Sequence, residues 1–259
     1  MVSLMPKRIL VIVEGEADEV RFLNSIFKNC YKKADYKIYT YKTNIHVLAQ
    51  ELFNNYNDFD DDETDIRLIL ASLESDKKRR DILLDKYTDI YMIFDFEPHH
   101  DHPHFDTVRR MIKYFDDSTN QGKLYINYPM MQSYKHLLKL PDATFKDRKV
   151  DMSQIKNYKR IVGEESCYTD LGRYSYTTFY SLAVHHLKKM NMLLNSLYEL
   201  PSIDDYLGFG GDNIYDSQIE MLNHTGFVYV LNTCIFALVD FAPSKFFKFV
   251  NQHLEELDI

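Results

Sequence analysis

A chain of 259 residues can bury a substantial core, as one large domain or as one and a half. Its 45% apolar content, with 17 Phe and 20 Tyr, excludes a disordered chain. The formal charge of −8 argues against nucleic-acid binding by bulk electrostatics. It leaves room for an enzyme that meets a polyanion through bound metal and a local basic patch, or through a partner that supplies the positive surface.

Three widely spaced cysteines, Cys30, Cys167 and Cys234, form neither a zinc pattern nor a disulfide framework. No signal peptide precedes the first expected strand. The longest apolar stretch, 227–242, contains Asn232 and Asp240 and is too short to span a bilayer. The expectation is a reducing, cytoplasmic compartment and no membrane contact.

Residues 9–13 form a continuous apolar run rich in β-branched side chains, as expected for a strand buried on both faces. The run stops at Glu14-Gly15, and a helical pattern follows over 16–33, with Val20, Leu23, Ile26 and Phe27 on one side. Acids open that helix and Lys32-Lys33 close it, matching the helix dipole. A strand feeding a glycine turn and a helix begins a βαβ unit, and its carboxyl end points into the crevice where open α/β sheets bind ligands. A phosphate-cradling turn would present backbone N–H groups there. This chain presents Glu14, with Asp18 one turn on, which suggests a metal site.

Residues 36–41 read as a second strand and 44–56 as a helix with Ile45, Leu48, Ala49, Leu52 and Phe53 on one face. The acidic tract 57–65 lacks the glycine and spacing of an EF-hand and reads as a solvated loop capping the next helix. One long helix is expected over 65–86, with Lys77, Lys78, Arg79 and Arg80 at its middle. That basic run is either an exposed helical face or a contact to a phosphate backbone. Residues 90–94 form another buried strand, which also ends in acid, at Asp95 and Glu97. In an extended segment both carboxylates leave from one face. They either end a strand and cap a helix, or join Glu14 around a divalent cation that relieves their repulsion. Oxygen ligands of this kind suit Mg²⁺ or Mn²⁺.

The run Val13-Glu14-Gly15-Glu16-Ala17-Asp18, with Phe94-Asp95-Phe96-Glu97 downstream, resembles a Toprim domain. That is the metal-binding α/β module of topoisomerases, bacterial primases and nucleases of the overcoming-lysogenization-defect type. The resemblance spans about residues 7–140. It implies that a Glu after the first strand and an acidic pair after a later one hold Mg²⁺ for phosphodiester chemistry. This chain has Asp-Phe-Glu where Asp-x-Asp is commonest, and the longer Glu alters the metal geometry.

Next come His99, His100, His102 and His104, four histidines within six residues, interspersed with Pro98 and Pro103. They read as a polar loop at the mouth of the site, as catalytic or substrate-contacting groups, with His99 and His100 foremost, or as a zinc site. A helix over 106–115 offers Arg109 and Arg110 to phosphates, a strand follows at 123–127, and another helix starts at 128–136. This last segment is similar to small stand-alone Toprim-like nucleases of bacterial phage-defence (abortive infection) systems. Those carry Asn, Pro and then an acid; here Asn127 and Pro129 are present, but Gln132 stands in the acid's place. Lys135 and His136, one turn on, either neutralise charge at a phosphorane or sit on a helix face.

A basic loop follows with Lys146, Arg148 and Lys149, continued by Lys156, Lys159 and Arg160. Helices are expected over 179–197, 214–223, 227–239 and 244–257, with 208–211 as a turn. The expected organisation is therefore a Toprim-like α/β catalytic domain over 1–142 and a helical subdomain over 143–259. The sheet is expected to be open and mostly parallel.

The chemistry expected from these residues is metal-dependent cleavage of DNA or RNA; the resemblance implies the role of toxic effector in an anti-phage defence system. Glu14, Asp95 and Glu97 hold one Mg²⁺ or Mn²⁺ and Asp18 helps a second, while Glu14 is alternatively the general base. Lys135, His99 or His100 assists the leaving group. Lys77–Arg80, Arg109, Arg110 and the basic loop position the backbone without reading sequence. Two rivals stand beside this: a partner-gated regulatory subunit working with an ATPase or sensor protein, and a Mg²⁺-dependent phosphotransfer enzyme with Asp95 as nucleophile. Self-association is left open.

Overall fold

The computed structural model describes residues 7–31, 34–55, 64–253 and 257. A five-stranded sheet organises the first half. Its members are β1 (Arg8–Val13), β2 (Asp35–Thr40), β3 (Asp89–Asp95), β4 (Asp116–Asp117) and β5 (Gly122–Asn127), in the order β2-β1-β3-β5-β4. All neighbours pair in parallel except the two-residue edge strand β4. Ile9 to Val13 have no solvent exposure, so both faces of the sheet are covered and the uniform apolar run is explained.

The crossovers are α1 (Asp18–Cys30), then α2 (Ile45–Asn55), α3 (Ile66–Leu73) and α4 (Lys77–Leu83), then α5 (Phe105–Tyr114). From β1 the chain moves out to β2 and then returns past β1 to β3. The β1/β3 boundary is therefore the sheet's topological switch point.

The helix expected over 65–86 is two helices. Glu74 is extended between them, and its carboxylate accepts from the Asp76 N–H (3.0 Å), Tyr39 Oη (2.9 Å) and Arg79 Nε (2.6 Å). Asp76 then caps α4 by accepting from the Arg79 N–H. The solvated loop expected at 57–65 lies outside the described residues apart from Thr64 and Asp65, of which Asp65 caps α3 as expected.

Beyond β5 the chain carries β6 (Lys149–Asp151), α6 (Tyr158–Glu165), α7 (Tyr176–Asn195), α8 (Ile203–Gly208), α9 (Gly211–Thr225), β7 (Phe227–Tyr229), α10 (Ala237–Asp240) and α11 (Pro243–Gln252). The 208–211 segment ends α8 and opens α9, consistent with the expected turn. Residues 227–239 are not one helix: only a 3₁₀ turn at Cys234–Phe236 and the start of α10 are helical. Phe227–Tyr229 pairs antiparallel with β6, and the chain then turns back along β5. There Leu231 bridges Tyr128, Thr233 Oγ1 donates to the Ile126 carbonyl, and Asn232 Nδ2 donates to the Met131 carbonyl and Ser133 Oγ. These buried polar bonds decide the path of the segment over its helical propensity. The segment at 131–136 is likewise a short 3₁₀ turn, Met131–Lys135. The helical part packs on the sheet domain through α1 against α7 and α5 against α9, and one continuous apolar cluster joins the two halves.

Candidate metal centre

Glu14 is the first residue beyond β1, and the register of β1 with β3 sets it beside Asp95 at that strand's end. Its N–H donates to the Ile93 carbonyl (3.2 Å), and the Asp95 N–H donates to Glu14 Oε2 (3.1 Å). Burial raises the Glu14 carboxyl to about 8; the Asp95 N–H opposes this, while the Glu97 and Glu19 charges add to it. Asp95 is pushed well above the usual carboxylate range by burial and by Glu14, Glu19 and Glu97. A long contact from Asn127 Nδ2 (3.5 Å) opposes the rise only weakly. Asn127 itself is immobilised by the Cys234 N–H, which donates to its Oδ1 (3.2 Å).

Glu97 does not continue the strand. β3 ends at Asp95, Phe96 is fully buried, and Glu97 has a φ of 46°, a left-handed conformation that few residues other than glycine adopt. The expectation of two carboxylates on one extended face is therefore replaced by a strand end followed by a sharp turn. The turn still leaves Glu97 close enough to add to the charge on Glu14 and Asp95.

The fourth acid is Glu19, which sequence reasoning passed over for its neighbour. Its carboxylate lies over Gly15, where a Cβ would stand 2.4 Å from Glu19 Oε2, so the absence of a side chain at 15 admits it. Burial first, then Asp18, raises its carboxyl. Asp18 points elsewhere. Its Oδ2 accepts from Gln132 Nε2 (2.8 Å) and pairs with Lys159 Nζ (2.5 Å), which together hold its carboxyl low. Gln132 is buried, and Lys135 is half-buried, with its ammonium lowered by burial and by Lys159 but supported by Asp18. A charged cluster of Asp18, Gln132, Lys135 and Lys159 thus adjoins Glu19.

The other sequence-predicted residues divide clearly. Lys77, Lys78, Lys146 and Lys149 are exposed. Arg79, Arg109 and Arg148 are committed within the chain. Arg79 binds Glu74 and the Thr40 carbonyl (2.6 Å), Arg109 grips Asp216 with two nitrogens, and Arg148 binds Glu165 and His136. Arg80 is half-buried and Arg110 exposed. His99 Nε2 donates to the Met152 carbonyl (2.7 Å), and His100 Nδ1 bonds the His102 carbonyl (3.0 Å), so the histidine loop is fastened to backbone.

The donor set suits a hard divalent cation, being all carboxylate oxygen with neither thiolate nor imidazole. Among the described residues no ion pair neutralises Glu14, Glu19, Asp95 or Glu97, and no three His, Cys, Asp or Glu side chains already converge as a ligand set. A cavity of about 590 Å³, with Lys123, Tyr125, Tyr206 and Asp240 in its wall, runs along β5 and is lined by none of the four acids. No described helix is long and apolar enough to cross a membrane. Comparison with protein-family models, curated proteins and solved structures gives no match for this chain.

Proposed function

We propose that this chain is a divalent-metal-dependent nuclease with a Toprim-like arrangement of its sheet and acids. The observation that carries the reading is the pair Glu14 and Asp95, half-buried side by side at the ends of adjacent parallel strands at the topological switch point. Like charges held together out of bulk water raise each other's proton affinity, and such carboxyls concentrate at functional sites. Glu14, Asp95 and Glu97, with Glu19 at the margin, would hold Mg²⁺ or Mn²⁺, which would supply polarisation of a phosphoryl oxygen and activation of water. The chain's own residues do the rest. The Asp95 N–H keeps one Glu14 oxygen oriented. Lys135, beside Asp18, offers an ammonium to the non-bridging oxygens of a phosphodiester. The exposed Lys77, Lys78, Lys146 and Lys149 contact backbone phosphates without reading bases.

The role of toxic effector in phage defence, in the cytoplasm, follows from the same resemblance and stands or falls with it. A second reading is favoured by one set of contacts. Arg79, Arg109 and Arg148 are engaged in internal ion pairs, which removes three of the expected phosphate contacts from a chain of net charge −8. A partner, such as an ATPase or sensor protein, would then present the substrate. The test is incubation of single- and double-stranded DNA and RNA with the full chain and Mn²⁺ or Mg²⁺, beside Glu14→Gln and Asp95→Asn. Cutting lost in both folded variants is the expected result. A folded, metal-binding wild type that cuts nothing moves the reading to the gated subunit.

A further inference from the structure

The histidine-rich loop 99–104 has no part in the chemistry above, yet one end of it closes on a fifth histidine. His46 lies in the first turn of α2, has no solvent exposure, and follows Asn44, whose side-chain oxygen accepts from the His46 and Val47 N–H groups. His46 Nδ1 accepts from the His104 N–H (3.1 Å), so that nitrogen carries no proton. Nε2 is therefore the N–H donor, and it faces the Glu97 carbonyl oxygen at 3.1 Å. The His100 N–H donates to the same oxygen (3.2 Å). The two donors fix the peptide following Glu97, the residue that has a φ of 46° and whose charge acts on Glu14 and Asp95. The ring is wedged by His100 (5.1 Å) and Phe105 (5.6 Å), and the loop's other end is tied down by His99 on the Met152 carbonyl.

We propose that His46 is a positioning residue that holds Glu97 in its left-handed conformation, with the 99–104 loop acting as a clamp that sets the His46 tautomer. The inference rests on the metal reading of Glu14, Asp95 and Glu97. It assigns the loop a structural task that serves this centre, in place of a zinc site.

The experiment measures Mn²⁺ affinity by calorimetry on the full chain for wild type, His46→Gln and His46→Phe, together with the backbone ¹³C shifts of Glu97, which report positive φ without any metal. His46→Gln keeps a donor near the Nε2 position and His46→Phe removes it. Residues that orient metal ligands typically change affinity by ~10–100-fold. The expected result is a loss of that size in His46→Phe with displaced Glu97 shifts, and near-wild-type affinity and shifts in His46→Gln. If His46→Phe does not fold, His104→Pro deletes the N–H that sets the tautomer and is expected to weaken Mn²⁺ in the same direction. Unchanged affinity and unchanged Glu97 shifts in a folded His46→Phe or His104→Pro overturn the proposal. Equal losses in His46→Gln and His46→Phe also overturn it, because the donor is then not what matters. A wild type that binds no Mn²⁺ overturns the metal reading and this inference with it; displaced shifts in that case identify the clamp as purely structural.

Discussion

Replacing Glu14 by Gln is predicted to stabilise the metal-free protein. In the unfolded chain this carboxyl titrates near 4.5; in the fold, burial and its acidic neighbours raise it to about 8. A carboxyl with a raised folded pKa binds its proton more tightly in the native state. Its contribution is neutral below the unfolded value and becomes a growing cost as pH climbs toward 8. At pH 7 the difference is about 2.5 pH units, or about 3 kcal/mol; at pH 5 it is under about 1 kcal/mol. Gln has a similar shape, still offers an oxygen to the Asp95 N–H, and never ionises. Denaturant unfolding in the presence of a chelator at pH 5, 7 and 8 is the assay. Glu14→Gln should gain on wild type by about 3 kcal/mol at pH 7, equivalent to roughly 6–12 °C in midpoint temperature, and the gap should narrow at pH 5. A gap that does not change with pH, or a wild type more stable than the variant at pH 8, refutes the electrostatic description of the centre.

Mn²⁺ at a hundred times its dissociation constant should raise wild-type stability at pH 8 by about 2.7 kcal/mol, and Asp95→Asn should show no such rise in the same denaturant titration. Arg79→Ala should cost about 2–3 kcal/mol, because it strips Glu74 and the Thr40 carbonyl of a charged donor, while leaving the salt dependence of nucleic-acid binding unchanged. The double change Lys77→Gln and Lys78→Gln should do the reverse, with little effect on stability and a binding-versus-salt slope reduced by ~1–2. Asn232→Ala should cost about 3 kcal/mol in the same unfolding assay, since the Met131 carbonyl and the Ile235 N–H lose their buried partner.

β1 and β3 could be read from the sequence because each is an uninterrupted apolar run stopped by a carboxylate. Such runs occur where a strand is covered on both faces and ends at the crevice. Glu14 and Asp95 followed from the same pattern. Glu19 was missed for a reason of helical phase. The pattern of α1 reads from residue 16, but the helix begins at Asp18, and adjacent helical positions point about 100° apart. Asp18 therefore leaves toward Gln132 and Lys159, while Glu19 folds back over Gly15. The signal for Glu19 was the bare Gly15 four residues earlier. The break at Glu74 was hidden because its stabilising partner Tyr39 lies 35 residues away. The strand at 227–229 is three residues long and cannot be told by periodicity from the start of an apolar helix. His46 meets Glu97 across 51 positions, a relation no local pattern encodes.

The central claim is that the four-carboxylate centre at the β1/β3 boundary is a divalent-cation site. Anomalous diffraction from crystals soaked in Mn²⁺ addresses it directly. The account predicts a peak bounded by the Glu14 and Asp95 carboxylates that vanishes in Asp95→Asn crystals grown and soaked alike. No peak there in wild-type crystals, or one only at the histidine loop 99–104, would contradict it.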